Sequence, residues 1–518
     1  MLVGDFLQNS AARAPDHIAL IGRGKRLTYA QFDEQANRLA NALLDLKLTK
    51  GAKVAILSTN CPEYAIAYFA IAKSPYVSAH CSTRSTANEL AYILNKIEAE
   101  LIFLESGFVK LIEDVLPHLN SFLKIIVLDR NNGQAFQLTD AMNLAEFVSG
   151  KSTDAPRTTQ DENDGLAITV TGGTTGLPKA VLVSHKARCA SAVAAAEDFG
   201  IGENDIVVAS TPLFHTAGLF VWFATAVAVG ATIVFPERWD PVIFMQLVEE
   251  EKITAAFLVP SQLNNLVTHA EFSATPLNTL SNIGYAGAPM GRALFERIRT
   301  ALPHVSFTEN YGQSEACPIT IRRDSDGDEK LGTVGRAAVN AEIGIVDQEG
   351  RLLPTGETGE IVTRGDQVFQ AYVSDPEETA KAFRMKDGWL LTGDVGYLDE
   401  DGFLTLVDRS KDMLVSGGEN VYPAEIENIL YQHAGVEECA VFGIPDHRWG
   451  EVPAAHVVLS SDTGVTEDEL IEFCASKIAR FKRPRVVKFV ASLPKTVVGK
   501  VQKNLLRDPY WAGHEKKI

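Results

Sequence analysis

Thr171, Thr174, Thr175 and Lys179 stand in the run Thr171-Gly172-Gly173-Thr174-Thr175-Gly176-Leu177-Pro178-Lys179, which packs three glycines, three threonines and one lysine into nine residues. Glycines let a backbone turn its N–H groups toward an anion, and threonine hydroxyls add donors. Lysine adds a mobile positive charge. The combination suits a polyphosphate. It is not a Walker A loop, which has four residues between its glycines, ends in Gly-Lys-Ser/Thr and enters a helix at once. Here the apolar run Leu166 to Val170 leads in, Val181 to Val183 leads out, and Ser184 is placed to cap a helix. The pattern predicts a strand–loop–strand phosphate clamp; on its own it is equally an ordinary Gly/Thr hairpin turn.

Further along come Glu309-Asn310-Tyr311-Gly312-Gln313-Ser314-Glu315, Leu391-Thr392-Gly393-Asp394 and Asp408-Arg409-Ser410-Lys411-Asp412. Ser416-Gly417-Gly418-Glu419-Asn420 and Gly499-Lys500 follow. In this order and at these separations the segments resemble the acyl- and aryl-CoA synthetases of the adenylate-forming superfamily, over nearly the whole chain. Any one motif is weak; five in register are strong. The resemblance implies a reaction in two halves. A carboxylate attacks the α-phosphate of ATP, giving an acyl-adenylate and pyrophosphate, and the thiol of CoA then expels AMP.

By the same resemblance, Thr171, Gly173, Thr174, Thr175, Gly176 and Lys179 hold the β- and γ-phosphates. Glu315, with Thr171, holds Mg²⁺, for which a carboxylate is the right type of ligand. Asp394 accepts from the ribose hydroxyls and Arg409 reaches the nucleotide. Gly287, Ala288 and Pro289 line one wall of the adenine pocket and Tyr311 its face; Asn310, Gly312 and Ser314 also bind the nucleotide. Lys500 bridges the substrate carboxylate and the α-phosphate. Lys411 is the hinge on which a C-terminal domain turns, bringing Ser416, Gly417, Gly418 and Glu419 to CoA. His215 stands beside the acyl carboxylate, as a charge partner or as a structural histidine at a strand end. Four positions depart from the family pattern: Gly172 for serine, Ala180 for glycine, Ser314 for threonine and Lys495 for arginine. None removes a charge.

His215, Trp222, Gly284, Tyr285, Ala286, Tyr311 and Cys317 are expected to line the acyl pocket. These residues are mostly small or apolar, and no basic residue stands out to bind a second substrate carboxylate. A medium- or long-chain fatty acid is the first expectation. An aryl acid of the coumarate or benzoate kind, a carrier-protein acceptor and a non-catalytic nucleotide-binding protein are the alternatives.

The elements that must position these residues read as α/β. The chain alternates strand-like and helix-like stretches: Val54 to Leu57, Glu63 to Ala72, Leu101 to Leu104, Ile125 to Leu128, Ile206 to Ser210, Ala255 to Val259 and Asn282 to Ala286. Such βα repeats build largely parallel sheets whose ligands gather at strand carboxyl ends. Asp240-Pro241 and Ser261 read as helix starts, and the strand from Val305 ends at a Tyr311-Gly312 turn. The polar stretch Lys151 to Gly165 reads as a linker or surface loop between two lobes, and the apolar run Gly218 to Gly230 as a buried helix. Gly332 to Thr405 reads as a small β-subdomain. A compact α+β unit follows, with a helix at Ala424 to Gln432, a capping box at Thr466 opening a helix to about Arg480, and a last strand at Val486 to Val490. The division is therefore a large N-terminal domain, 1–409, of βα-repeat subdomains plus the β-subdomain, and a small mobile α+β C-terminal domain, 410–518.

With 518 residues, 46% hydrophobic and 22% charged, the chain is long enough for more than one core. A formal net charge of −18 argues against nucleic acid as a partner. Six scattered cysteines without a CxxC pair argue for reduced thiols in a cytoplasmic protein. No apolar run is long enough to span a bilayer. Peripheral membrane contact and a homodimer stay open.

Overall fold

Helices packed between two sheets, with further helices on both outer faces, make up the larger part of this computed structural model. The structure describes residues 1–512 apart from 129–137, 139–140, 172–177, 273–276, 289, 410–411, 417–418, 461–463, 480–481 and 496–500. Among the described residues one sheet has eight strands. Its order is Ala371–Tyr372, Lys179–Ser184, Gly165–Thr171, Val77–His80, Lys53–Leu57, Ala99–Leu104, Lys124–Val127 and Ala141–Asn143. From Gly165–Thr171 outward the pairs are parallel; Lys179–Ser184 is antiparallel to both of its neighbours. Strands such as Val77–His80 are buried throughout, as parallel strands covered on both faces must be.

The second sheet has nine strands among the described residues and runs Arg336–Ala337, Ala316–Arg323, Ser306–Gln313, Asn282–Ala286, Ala255–Leu258, Ile206–Val208, Thr232–Val234, Ile18–Gly22 and Lys25–Thr28. Helices Pro62–Ala72 and His185–Phe199 and the segment Ala217–Val229 lie in one core with side chains from both sheets. All eleven residues of Pro62–Ala72 are buried, so its periodicity is invisible in its sequence. Ala87–Ile97 and Val109–Val115 cover the outer face of the first sheet. Pro241–Glu251, Pro260–Thr268 and Arg292–Ala301 cover that of the second.

A four-stranded antiparallel sheet, Ala341–Val346, Gly359–Gly365, Leu390–Leu398 and Leu404–Arg409, follows. The small C-terminal domain carries a sheet of Glu419–Val421, Leu414–Ser416, Gly450–Leu459 and Val436–Asp446. There Val486–Phe489 pairs parallel to Gly450–Leu459, with helices Pro423–Leu430, Glu467–Ala475 and Lys503–Trp511. Among the described residues no helix is long and apolar enough to cross a membrane. The six cysteines are buried and free.

Local chemistry sets several boundaries as the sequence suggests. Ser184 accepts from Ala187 N at 3.1 Å, and Asp240 Oδ1 from Val242 N and Ile243 N at 2.9 and 3.2 Å. Elsewhere the structure corrects the reading. Strand Ser306–Gln313 continues through Tyr311 and Gly312, because its partner Ala316–Arg323 pairs with it up to Gln313. Helix Pro260–Thr268 starts on its proline after Val259, with Ser261 already inside the first turn. The helix capped by Thr466 ends at Ala475, not near Arg480.

The stretch 151–164 joins no lobes: the strands before and after it, Ala141–Asn143 and Gly165–Thr171, belong to one sheet. Asn37 Nδ2 donates to Thr153 O at 3.1 Å and Asn41 Nδ2 to Ser152 O at 3.0 Å, which straps this stretch to helix Tyr29–Leu44. Within 332–405, Ala371–Tyr372 leaves the small sheet and extends the eight-stranded one. The run after Gly218 is buried, but it winds as a π-helical turn over Ala217–Phe223 before the α-helix Ala224–Val229. Gly218 lets that turn press on the chain before it, since a Cβ there would lie 2.5 Å from Pro212 O.

Candidate active site

The loop 172–177, which carries Gly173, Thr174, Thr175 and Gly176, lies outside the described residues, but both its ends are fixed. Thr171 closes strand Gly165–Thr171 and pairs directly with Lys179, which opens strand Lys179–Ser184. The segment is therefore strand–loop–strand. Lys179 Nζ lies 2.5 Å from Glu378 Oε2 and 4.6 Å from the centre of the Tyr372 ring. Lys381 Nζ holds the other oxygen of Glu378 at 2.7 Å. The hydrogen bonds from Lys179 and Lys381 hold the Glu378 carboxyl well below its ordinary range, down to about 2.

Tyr372 links this hairpin to Glu315. Its hydroxyl donates to Glu315 Oε1 at 2.8 Å, and Phe369 N donates to Glu315 O at 2.7 Å. Glu315 is 8% exposed. Burial, then the Glu315 charge, pushes the Tyr372 phenol far up, so it stays a proton donor. One residue before, the Ser314 hydroxyl accepts from Thr216 Oγ1 at 3.1 Å, and Thr216 Oγ1 lies 3.3 Å from Thr169 Oγ1 on the hairpin strand. His215, half-buried with its ring tilted against Phe214, adjoins Thr216 and is thereby brought beside this cluster.

On the other side, Tyr311 OH donates to Asp394 Oδ2 at 2.7 Å. Asp394 pairs with Arg409 across the antiparallel strands Leu390–Leu398 and Leu404–Arg409. Gly287 and Ala288 follow the carboxyl end of Asn282–Ala286, which pairs parallel with Ser306–Gln313 so that Ala286 faces Asn310. They therefore sit beside Tyr311 and Gly312. Asn310 is 4% exposed, and Cys317 Sγ donates to its Oδ1 at 3.7 Å. The hairpin ends, Ser314, Glu315, Tyr311 and Asp394 thus share one neighbourhood at strand carboxyl ends, where open α/β sheets bind ligands. Pro289, Lys411, Gly417, Gly418 and Lys500 lie outside the described residues. The chain around Lys500 is closed by a bridge between Lys495 and Val501 and by Gln502 N donating to Pro494 O at 2.8 Å. Ser416 is buried and pairs with Gly450 and with Glu419.

Among the expected acyl-pocket residues, Gly284 and Ala286 face the inter-sheet core. Phe199 fills the space beside Gly284, leaving none for a Cβ. Tyr285 does not join them. Alternation along the strand turns it to the outer face, where its hydroxyl donates to Glu309 Oε2 at 3.0 Å and accepts from Arg322 Nη2 at 2.5 Å. Trp222 is 1% exposed, wedged against Phe199 and Phe257 with Nε1 donating to Val208 O, so it is packed core rather than pocket wall.

Sequence reasoning passed over three residues. Tyr372 and Glu378 carry no signal beyond composition. Arg188 stands in the alanine-rich run of helix His185–Phe199 and is 1% exposed, so a basic residue does lie beside Cys317.

The AMP-binding enzyme profile matches residues 7–373, and that of the AMP-binding enzyme C-terminal domain matches 425–500. The chain is 32% identical to the long-chain-fatty-acid–CoA ligase FadD13 of Mycobacterium tuberculosis, over 94% of each chain. It is 31% identical to a feruloyl-CoA synthase of Amycolatopsis, over 98% of each. ATP-bound MatB from Rhodopseudomonas palustris superposes with a TM-score of 0.88 at 26% identity, covering 99% of this chain and all of the other. The chain belongs to the AMP-binding enzyme family, among its AMP-forming acyl-CoA synthetases.

Proposed function

We propose that this protein joins a fatty acid to CoA through an acyl-adenylate, consuming ATP. The observation that carries the reading is the Lys179–Tyr372–Glu315 contact, which sets the threonine-bearing hairpin against a buried carboxylate. Thr171 and Lys179, with Gly173, Thr174, Thr175 and Gly176 between them, hold the β- and γ-phosphates. Asp394 accepts from the ribose hydroxyls, Arg409 reaches the nucleotide, and Gly287, Ala288, Pro289, Asn310, Tyr311 and Gly312 frame the adenine. Ser314 positions the turn through Thr216.

The donor set fits Mg²⁺, which is held by one or two carboxylates together with substrate phosphates. Glu315 supplies the carboxylate and Thr171 a hydroxyl. Among the described residues no group of three or more His, Cys, Asp or Glu stands together. When bound, the ion neutralises charge on the phosphates. Lys500 then bridges the attacking carboxylate and the α-phosphate, His215 answers the carboxylate charge, and the family hinge at Lys411 lets 410–518 turn against 1–409. That turn exchanges Lys500 for Ser416, Gly417, Gly418 and Glu419 at the thiol step. Ala286, Tyr311 and Cys317 flank the acyl chain, while Gly284 is covered by Phe199.

The test mixes protein, ATP, Mg²⁺ and CoA with acids from short to long and with aryl acids, following AMP and thioester. Fatty acids should give both. AMP from aryl acids alone would move the substrate to that class, and AMP from none would end the reading.

A further inference from the structure

One interior charge has no counterpart among the described residues. Arg188 is 1% exposed; its Nη2 donates to Gln367 O at 3.0 Å, and its guanidinium lies 4.9 Å from the Phe220 ring centre. Among the described residues its Nε and Nη1 have no hydrogen-bond partner and no carboxylate pairs with it. Burial lowers its pKa to about 10, which leaves it a cation at neutral pH. Its neighbours share the predicament. Gln367, 1% exposed, has both side-chain amide atoms unpartnered, and so is the fully buried hydroxyl of Tyr68, whose ring contacts Phe220. A folded chain leaves buried donors unmade at a cost, and a charge at a larger one, unless something else meets them.

The cluster lies next to the candidate active site. Ser191, one turn along the helix from Arg188, donates to Cys317 O at 2.5 Å, and Cys317 is two residues past Glu315. Gln367 is two residues before Phe369, which holds the Glu315 carbonyl. Arg188 thus reaches the Glu315 turn through Cys317. Phe220 stands on the same π-helical segment that begins beside His215.

We propose that Arg188, with Tyr68 and Gln367, forms the far end of the acid site and receives an oxygen-bearing group, a second carboxylate or a keto oxygen, at the substrate end remote from the reacting carboxyl. The proposal rests on the acid–CoA ligase reading and narrows its substrate to a medium-length acid with a polar terminus. The unpartnered Gln367 carboxamide and Tyr68 hydroxyl supply the further hydrogen bonds to that terminus.

The experiment measures kcat/KM for AMP release with the full-length enzyme, ATP, Mg²⁺ and CoA, using octanoic against suberic acid and hexanoic against adipic acid, with an oxo-acid of each length as a third arm. The wild type should favour the oxygen-terminated acid about tenfold or more, the difference lying in KM. R188M should bring that ratio to about one, and R188K should restore part of it. An unchanged ratio in R188M, or a wild-type preference for the plain acid, overturns the proposal. If R188M fails to fold, Y68F and Q367L must lower the ratio, and no change in both is equally fatal. AMP from no acid at all would sink the ligase reading itself. Thermal protection by suberate but not octanoate, lost in R188M, would still support the subsite, and its absence would overturn it.

Discussion

Lys179 has two claimants. Glu378 holds it in the structure, and a triphosphate at the hairpin must compete for the same ammonium. The Glu378 carboxyl is held at about 2, below its ordinary range, so it stays charged in mild acid and the pair weakens as pH falls toward that value. The pair is partly exposed, so its own worth to stability is small. Glu378→Gln should therefore leave the melting temperature nearly unchanged while lowering KM for ATP about threefold; a higher KM would mean that Glu378 positions the lysine instead. Tyr372 acts through Glu315. Tyr372→Phe removes a hydrogen bond to a carboxylate, worth about 1.5–3 kcal/mol. It should cut kcat about tenfold and raise the Mg²⁺ concentration needed for half-maximal rate, whereas a merely structural tyrosine would leave the Mg²⁺ dependence alone. Neither residue was legible in the sequence, because the importance of Tyr372 comes from a two-residue strand that pairs across the sheet and not from any local pattern.

At the scale of elements, the sequence shows its strands where burial is continuous and its helices where caps are chemical. Ser184 and Asp240 mark their helices by side-chain oxygens that the structure finds on backbone N–H groups. Pairing over long distances hides the rest: Tyr311 and Gly312 look like a turn and are strand, because Ala316–Arg323 lies beside them. Tyr285 shows why a site residue can be misjudged by neighbourhood alone, since a strand sends alternate side chains to opposite faces. The core between the sheets also stores a pH dependence. His80 is fully buried between the hydroxyls of Tyr64, at 2.7 Å, and Ser78, at 2.9 Å, and burial lowers its pKa to about 3. In the unfolded chain it titrates near 6.5. The folded state thus refuses a proton that the unfolded state takes, so this contribution is complete above pH 6.5 and is lost as pH falls toward 3. His80→Phe should remove about one proton from the slope of stability against pH between 6 and 4, read by urea unfolding at each pH. An identical slope would show that His80 can be protonated in place.

For the whole molecule, the proposed reaction puts its two halves on two placements of one small domain. The C-terminal sheet and helices form a core of their own, and Lys503 Nζ reaches Glu427 at 2.8 Å. Burial works against the Lys503 charge, but the Glu427 and Asp408 carboxylates more than offset it and raise the pKa. Helix Lys503–Trp511 is thereby anchored just after residue 500 in the sequence. Lys500→Ala should depress acyl-adenylate formation by at least about a hundredfold. Thioester formation from supplied acyl-adenylate should fall less than tenfold, and equal losses would refute the exchange. The pairing of Lys179–Ser184 with Ala371–Tyr372 also governs how the protein can be made. On the ribosome the phosphate hairpin emerges with one bare edge, and that edge waits for residue 372 before it is covered. Its open N–H and C=O groups meanwhile offer a template to any neighbouring nascent chain. Fragments that stop short of residue 371 should accordingly pellet on expression, and chaperone demand should peak while the intervening stretch is being translated.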